Sequence, residues 1–336
     1  KDSPSLTYVM GLMDSRNKVT IYTDVVPDPP ITHVVKGIEF MEGIKPSVII
    51  AIGGGSCIDM SKGIAYFGRK LKQMDIKSFI AVPTTSGTGS EVTSFAVLTD
   101  SETQIKYPLV DDAVLPDEAL LTPLFVKTSP PSVTAFSGMD VLVHALESYV
   151  ATAANNFTDA LVQQAIELVF EYLPKCHKPT ATEQDRMSMH EASCLAGLSF
   201  NKAGLGIVHA MAHQLGGQFH VPHGLANSML LPYVIGFNCS RNQEVAKKYA
   251  HLSAKLGFAS YKSSDGDKLG ALLEAIVKLQ RTLECPMTLT EFGVDKATSE
   301  AKLDLMADRA LEDMCYRFNP YPANHGDLVG LYKKVL

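Results

Sequence analysis

Ser47-Val48-Ile49-Ile50-Ala51-Ile52 runs straight into Gly53-Gly54-Gly55-Ser56, and this junction decides how the first part of the chain folds. Five consecutive apolar residues without polar alternation fit a strand buried on both faces, the pattern of a parallel sheet. Cys57 to Phe67 then reads as a helix, with Ile58, Met60, Ile64 and Phe67 on apolar positions and Ser56 as its N-cap. Phe79-Ile80-Ala81-Val82 is a second buried strand ending at Pro83, and Phe95–Leu98 and Leu115–Leu121 are further strands. Strand, glycine turn and helix in this order predict a parallel α/β sheet. Upstream, Val19–Asp24 has the composition of a first strand. It meets Val25-Val26-Pro27-Asp28-Pro29-Pro30 with no room for the dozen-residue crossover that parallel strands require.

After Pro130-Pro131 the pattern turns helical: Ser137–Ala151, Thr158–Leu173, Glu183–Phe200, Gly206–Gly216, Gly224–Tyr233, Asn242–Leu256, Lys268–Leu283 and Ser299–Cys315. The 336 residues thus divide into an α/β domain at 1–129 and an all-helical domain at 130–336. With 46% hydrophobic and 20% charged residues, the composition excludes a disordered or fibrous chain. A formal net charge of −6 argues against a nucleic-acid partner, and no apolar run reaches membrane-spanning length. Six scattered cysteines contain no Cys-x-x-Cys pair and read as free thiols of a reducing cytoplasm.

Two loops and one cluster carry the chemistry. Gly53–Ser56 sits at a strand end and helix start, where backbone N–H groups and the helix dipole favour a phosphate, although glycine turns there are often purely structural. Thr84-Thr85-Ser86-Gly87-Thr88-Gly89-Ser90-Glu91-Val92-Thr93 follows the next strand, at the edge where parallel sheets bind ligands. Together the two loops make a dinucleotide the leading ligand. Seven of ten histidines lie between 144 and 223. Asp140-x-x-x-His144 and His209-x-x-x-His213 each place two polar side chains on one helical face, and His223 opens a further helix. Their neighbours are apolar or small, so these groups face a packed interior and need partners. A divalent cation satisfies several at once, and imidazoles with a carboxylate but no thiolate suit Fe²⁺ or Zn²⁺. His190 reads as structural, and His220 as spare.

Gly53–Asp59 with Lys62, Pro83–Thr93, Gly138–Glu147 and Gly204–Gly224, taken together and in this order, resemble the metal-dependent, iron-containing alcohol dehydrogenases. Within that family the chain is most similar to the alcohol dehydrogenase half of aldehyde–alcohol dehydrogenases and to the enzymes of ethanolamine or propanediol utilisation. The resemblance implies a dehydroquinate-synthase-like fold, with an N-terminal dinucleotide-binding domain, a helical C-terminal domain and a site in the cleft. It implies metal ligands at Asp140, His144, His209 and His223, and a proton-relaying His213 beside the metal. It also implies cofactor contacts at Asp28, Gly54, Gly55, Ser56, Asp59, Thr84, Thr85, Thr88, Thr93 and Lys106. The expected activity is interconversion of a small primary alcohol and its aldehyde with NAD or NADP and Fe²⁺ or Zn²⁺. A homodimer or higher homo-oligomer in the cytoplasm, or within a bacterial microcompartment, completes the expectation. The family's NAD-selecting Thr-Asp follows its first strand; Thr23-Asp24 instead stands where a later strand belongs, so NAD rests on the subgroup resemblance. Glycerol or diol dehydrogenases and dehydroquinate-synthase-like lyases share the implied fold. The lyase would need a basic pocket, and the segments around the histidines are poor in Lys and Arg.

Overall fold

The computed structural model describes residues 4–101, 106–127 and 129–336, with all side chains there except those of Pro4, Ser5 and Lys106. The chain forms two compact units, Lys1–Ser129 and Pro130–Leu336. No helix is long and apolar enough to cross a membrane among the described residues, and all six cysteines are free.

The first unit contains α1 (Pro4–Leu12), α2 (Ile31–Ile44), β1 (Val48–Gly53), α3 (Gly55–Lys72), β2 (Ser78–Pro83), β3 (Phe95–Thr99), β4 (Lys106–Val110) and β5 (Glu118–Ala119). β1, β2 and β5 form a parallel sheet in that order, with Ile50 opposite Ile80 and Gly53 opposite Pro83. Ala51, Phe79 and Ala81 pack against Ile58 of α3, while Val34, Ile38 and Met41 of α2 pack on Met60 and Ile64 on another side of α3. Both layers depend on α3 having apolar residues on two faces, so its 18 residues are the spine of the unit.

Several expectations are corrected here. β1 lies at the edge of its sheet and is covered on one face only, so Val48 and Ile50 are exposed. Phe95–Leu98 leaves the parallel sheet and pairs antiparallel with β4 as a separate ribbon. Of Leu115–Leu121 only Glu118 and Ala119 pair, and Val19–Asp24 forms no strand, for want of a crossover to return it beside β1. Gly54, not Ser56, is the N-cap of α3; Ser56 lies inside the first turn.

The second unit contains α4 (Pro131–Val150), α5 (Asn156–Cys176), α6 (Glu183–Ala203), α7 (Ile207–Phe219), α8 (His223–Arg241), α9 (Gln243–Lys255), α10 (Asp265–Thr282), α11 (Leu289–Phe292), α12 (Lys296–Glu300), α13 (Leu303–Glu312) and α14 (His325–Tyr332). Every residue of α4 from Gly138 to Val150 is buried, which marks it as the central helix; α5, α6 and α8 surround it. Asn155 and Thr182 close capping boxes at the starts of α5 and α6. Two helix ends differ from the sequence pattern: α4 begins six residues early because Pro131 suits a first helical turn, and α8 runs eight residues past Tyr233 to Arg241. The helix expected at Ser299–Cys315 is broken into α12, α13 and a 3₁₀ turn at Met314–Phe318.

α8 meets α4 at a glycine. A Cβ on Gly224 would collide with the Phe136 carbonyl and stand 2.8 Å from the Phe136 carbon and 3.1 Å from Asp140 Cβ. Gly224→Ala is therefore expected to cost about 1–3 kcal/mol by overpacking and to move His223 away from Asp140. A lower urea midpoint together with weaker metal uptake is the expected result; an unchanged midpoint would show that the helices can separate freely.

Candidate metal centre and nucleotide loops

α4 carries Asp140, His144 and Glu147 along one stripe at helical spacing, and α7 and α8 bring His209 and His223 up to it. One ligand atom from each of Asp140, His144, His209 and His223 lies within 4.8 Å of the others. Asp140 is the hub: its carboxylate oxygens are 3.9 Å from His144 Nε2, 3.7 Å from His209 Nε2 and 3.6 Å from His223 Nε2. The His144 and His209 rings stack at 4.7 Å, and Phe200 stacks on the other face of the group, 4.4 Å from His144. Asp140, His144 and His209 are buried, whereas the His223 side chain is 41% exposed, so the cluster is reached from its side.

The residues fit a divalent cation. Asn227 Nδ2 is 2.6 Å from Asp140 Oδ1 and 3.1 Å from both His209 Nε2 and His223 Nε2. An amide nitrogen has two hydrogens, too few for three acceptors. Its own Oδ1 is buried without a hydrogen-bond partner. Converging lone pairs in a sealed corner are what a cation relieves. Burial and the neighbouring imidazoles of His144, His223 and His213 hold the His209 pKa well below its ordinary range, in the neutral form that metals bind.

Two carboxylates outside this set orient imidazoles. Glu147 Oε2 is 2.5 Å from His209 Nδ1, and its Oε1 accepts from Val208 N at 2.7 Å. Burial pushes the Glu147 carboxyl up to about 8, against the N–H groups of Val208, Gly206 and His209. A cation beyond the ring would favour its ionised form. His213 Nδ1 lies 2.7 Å from Asp313 Oδ2, and its ring is nearly parallel to His223 at 5.4 Å. Burial raises the Asp313 pKa, but the hydrogen bond and charge of His213 and the Cys315 N–H hold it below the usual value. Sequence reasoning missed Glu147, Asn227 and Asp313 as members of this site. Glu147 and Asn227 had a signal, standing one turn from His144 and His223 on the same faces; Asp313 lies a hundred residues from His213 and had none. His190 is buried in α6, and His220 is an exposed left-handed cap of α7 rather than part of the cluster.

In the first unit the two loops meet. Thr84 N donates to Gly53 O at 2.9 Å, and Asp28 N to Ser56 Oγ at 3.4 Å. A Cβ on Gly54 would touch Thr85 at 3.4 Å, and one on Gly55 would press on Thr88 at 2.6 Å. No side chain caps α3, so its first N–H groups face outward beside Thr85 and Thr88, an arrangement that suits a phosphate. Asp59 and Thr93 hold the loop from within. Asp59 takes Ser90 Oγ at 2.5 Å and Val97 N at 3.0 Å, while Thr93 is buried against Lys62. The Lys106 side chain falls outside the described residues.

Comparison with known proteins agrees along the whole chain. Residues 134–336 match the Fe-containing alcohol dehydrogenase family, C-terminal, and residues 4–123 match iron-containing alcohol dehydrogenase. The chain is 42% identical over 334 residues to the 1-propanol dehydrogenase PduQ of Salmonella typhimurium, covering 99% of this chain and 90% of that protein. It is 39% identical to the NADPH-dependent butanol dehydrogenase of Clostridium saccharobutylicum, covering 97% and 86%. The crystal structure of a 1,3-propanediol oxidoreductase superposes with a TM-score of 0.92 at 33% identity, covering all of this chain and 89% of that one.

Proposed function

This chain belongs to the iron-containing alcohol dehydrogenase family, and from that premise we propose that it interconverts small primary alcohols and their aldehydes. The metal ligands in this reading are Asp140, His144, His209 and His223. The observation that carries it is the convergence of these four side chains on one corner, where Asn227 cannot satisfy three acceptors with two hydrogens. When bound there, a divalent cation lowers the pKa of an alcohol and polarises an aldehyde carbonyl, and a nicotinamide exchanges the hydride. Iron follows the family, and zinc suits the same donors.

The chain's own groups do the rest. His213 moves the proton: Asp313 holds its Nδ1–H, leaving Nε2 to accept from the alcohol and pass the proton to water. Its side chain is 29% exposed, which gives water that access. Gly54, Gly55 and Ser56 supply the backbone cradle for a pyrophosphate, with Asp28, Thr84, Thr85 and Thr88 around it, while Asp59 and Thr93 keep its shape. Lys106 is assigned to the cofactor by its place in the sequence. NAD is the cofactor in this reading, with NADP the alternative that the name of the butanol-oxidising relative favours. Three- and four-carbon alcohols are the first substrates to test, as the names of two relatives indicate. A diol is a second reading, supported by the likeness to the 1,3-propanediol oxidoreductase structure. By family resemblance we place the enzyme in the cytoplasm or a bacterial microcompartment as a homodimer or larger homo-oligomer, which sedimentation of the purified protein tests.

Oxidation of NADH or NADPH at 340 nm with two- to four-carbon aldehydes tests the activity. Metal-dependent consumption is expected, and none with any aldehyde, cofactor or metal would overturn the proposal. His213→Ala is expected to retain metal and lose about 10²–10⁴-fold in kcat, the usual scale for a proton-transfer group. Loss of metal in that variant would make His213 a ligand instead.

A further inference from the structure

Imidazole ligates through one nitrogen only when the other carries the proton, so a binding site must choose the tautomer of each histidine. Within α4, Asp140, His144 and Glu147 share a face, and Glu147 reaches past the cluster to the start of α7. Its Oε1 accepts from Val208 N, and Gly206 N also donates to this carboxylate. Its Oε2 lies 2.5 Å from His209 Nδ1. The approach depends on Gly206, where a Cβ would stand 2.8 Å from Glu147 Oε1. The remaining N–H of the turn, that of Ile207, goes to Asn319 Oδ1 at 3.3 Å.

We propose that Glu147 is a positioning residue that presents His209 Nε2 to the metal, and that metal affinity depends on its accepting hydrogen bonds on both oxygens. The inference rests on the four-ligand reading above. A carboxylate has no proton to offer when ionised, so it accepts from α7 on one side and from the ring on the other. It thereby fixes the height of α7, the plane of the ring and the Nδ1–H tautomer together. An amide cannot replace it: whichever way a glutamine turns, its NH₂ faces either Val208 N–H or His209 Nδ1–H, and two donors then oppose each other.

Apo protein titrated with Co²⁺ against a chromophoric chelator tests this, with the cobalt ligand-field spectrum as a second readout. Glu147→Gln is expected to weaken cobalt binding about 10–100-fold and to alter the spectrum. Glu147→Asp, which keeps the carboxylate on a shorter arm, should fall between it and the wild type. Asn319→Ala removes the neighbouring cap of the same helix without touching His209, and is expected to lower the melting temperature while leaving cobalt affinity unchanged. Cobalt binding by Glu147→Gln equal to wild type would overturn the proposal, as would an equal loss in Asn319→Ala. If Glu147→Gln does not fold, Glu147→Asp decides the matter, and wild-type affinity there overturns the proposal. Wild-type protein that takes up no cobalt overturns the four-ligand reading, and the role of Glu147 with it.

Discussion

His209→Ala is expected to purify without its metal and with kcat/KM reduced at least about 10³-fold. The substitution deletes a nitrogen that lies at the centre of the cluster, 3.7 Å from Asp140 and stacked on His144. A bound cation contributes several kcal/mol of charge stabilisation in the transition state, and each 1.36 kcal/mol is tenfold in rate. The same change strips Glu147 of its ring partner in a buried site, a further cost of about 1–3 kcal/mol to folding. His223→Ala separates these effects. Its side chain is 41% exposed, so metal and turnover should be lost with a smaller change in apo stability. Metal analysis and melting curves on both variants check this. Full metal content in either would remove that residue from the ligand set.

Lys62→Met is expected to be among the most destabilising single substitutions in the first unit, by about 3–5 kcal/mol. Lys62 is wholly buried, and its ammonium donates to Thr93 O at 2.8 Å, Thr93 Oγ1 at 3.1 Å and Phe95 O at 2.8 Å. It also offsets the charges of Asp59 and Glu91, whose carboxyl groups burial raises, that of Glu91 to about 7. A methionine of similar shape leaves two carbonyls and two carboxyl groups without the cation. Burial lowers the pKa of Lys62 itself to about 8, against the attraction of Asp59 and Glu91. The unfolded chain, with an ordinary lysine near 10.5, therefore binds this proton more tightly than the folded one. Between about 8 and 10.5 this group makes wild-type stability rise with pH, and Lys62→Met should lack that increment. Urea midpoints of both proteins across that range provide the measurement. An identical pH slope would show that burial does not lower the Lys62 pKa in the fold. Since the same ammonium holds the loop that ends at Thr93, a higher KM for the dinucleotide is expected as well.

The apolar strands at Val48–Ile52 and Phe79–Val82, the glycine turn between strand and helix, and the periodic helices after Pro131 were all legible, because each is written in neighbouring residues. The same locality explains the errors. β1 looks buried on both faces from its composition, yet its exposure depends on what covers Val48 and Ile50, which lies elsewhere in the chain. Phe95–Leu98 has a strand's residues, but nothing within them says that they pair antiparallel with β4 instead of joining the parallel sheet. The helix expected to stop at Tyr233 runs on to Arg241, because its last two turns are held by the helices it packs against.

For the site, helical spacing alone put Asp140 with His144 and His209 with His213, since residues four apart share a face whatever the rest of the fold does. Tertiary packing alone decided that Asp140 meets His209 and His223, that Asn227 lies among them, and that Asp313 takes the Nδ1 proton of His213. A side chain's face is set by the 3.6-residue period of its own helix. The partner it meets there is set by how buried helices stack, where every polar group needs an acceptor or donor from a distant segment.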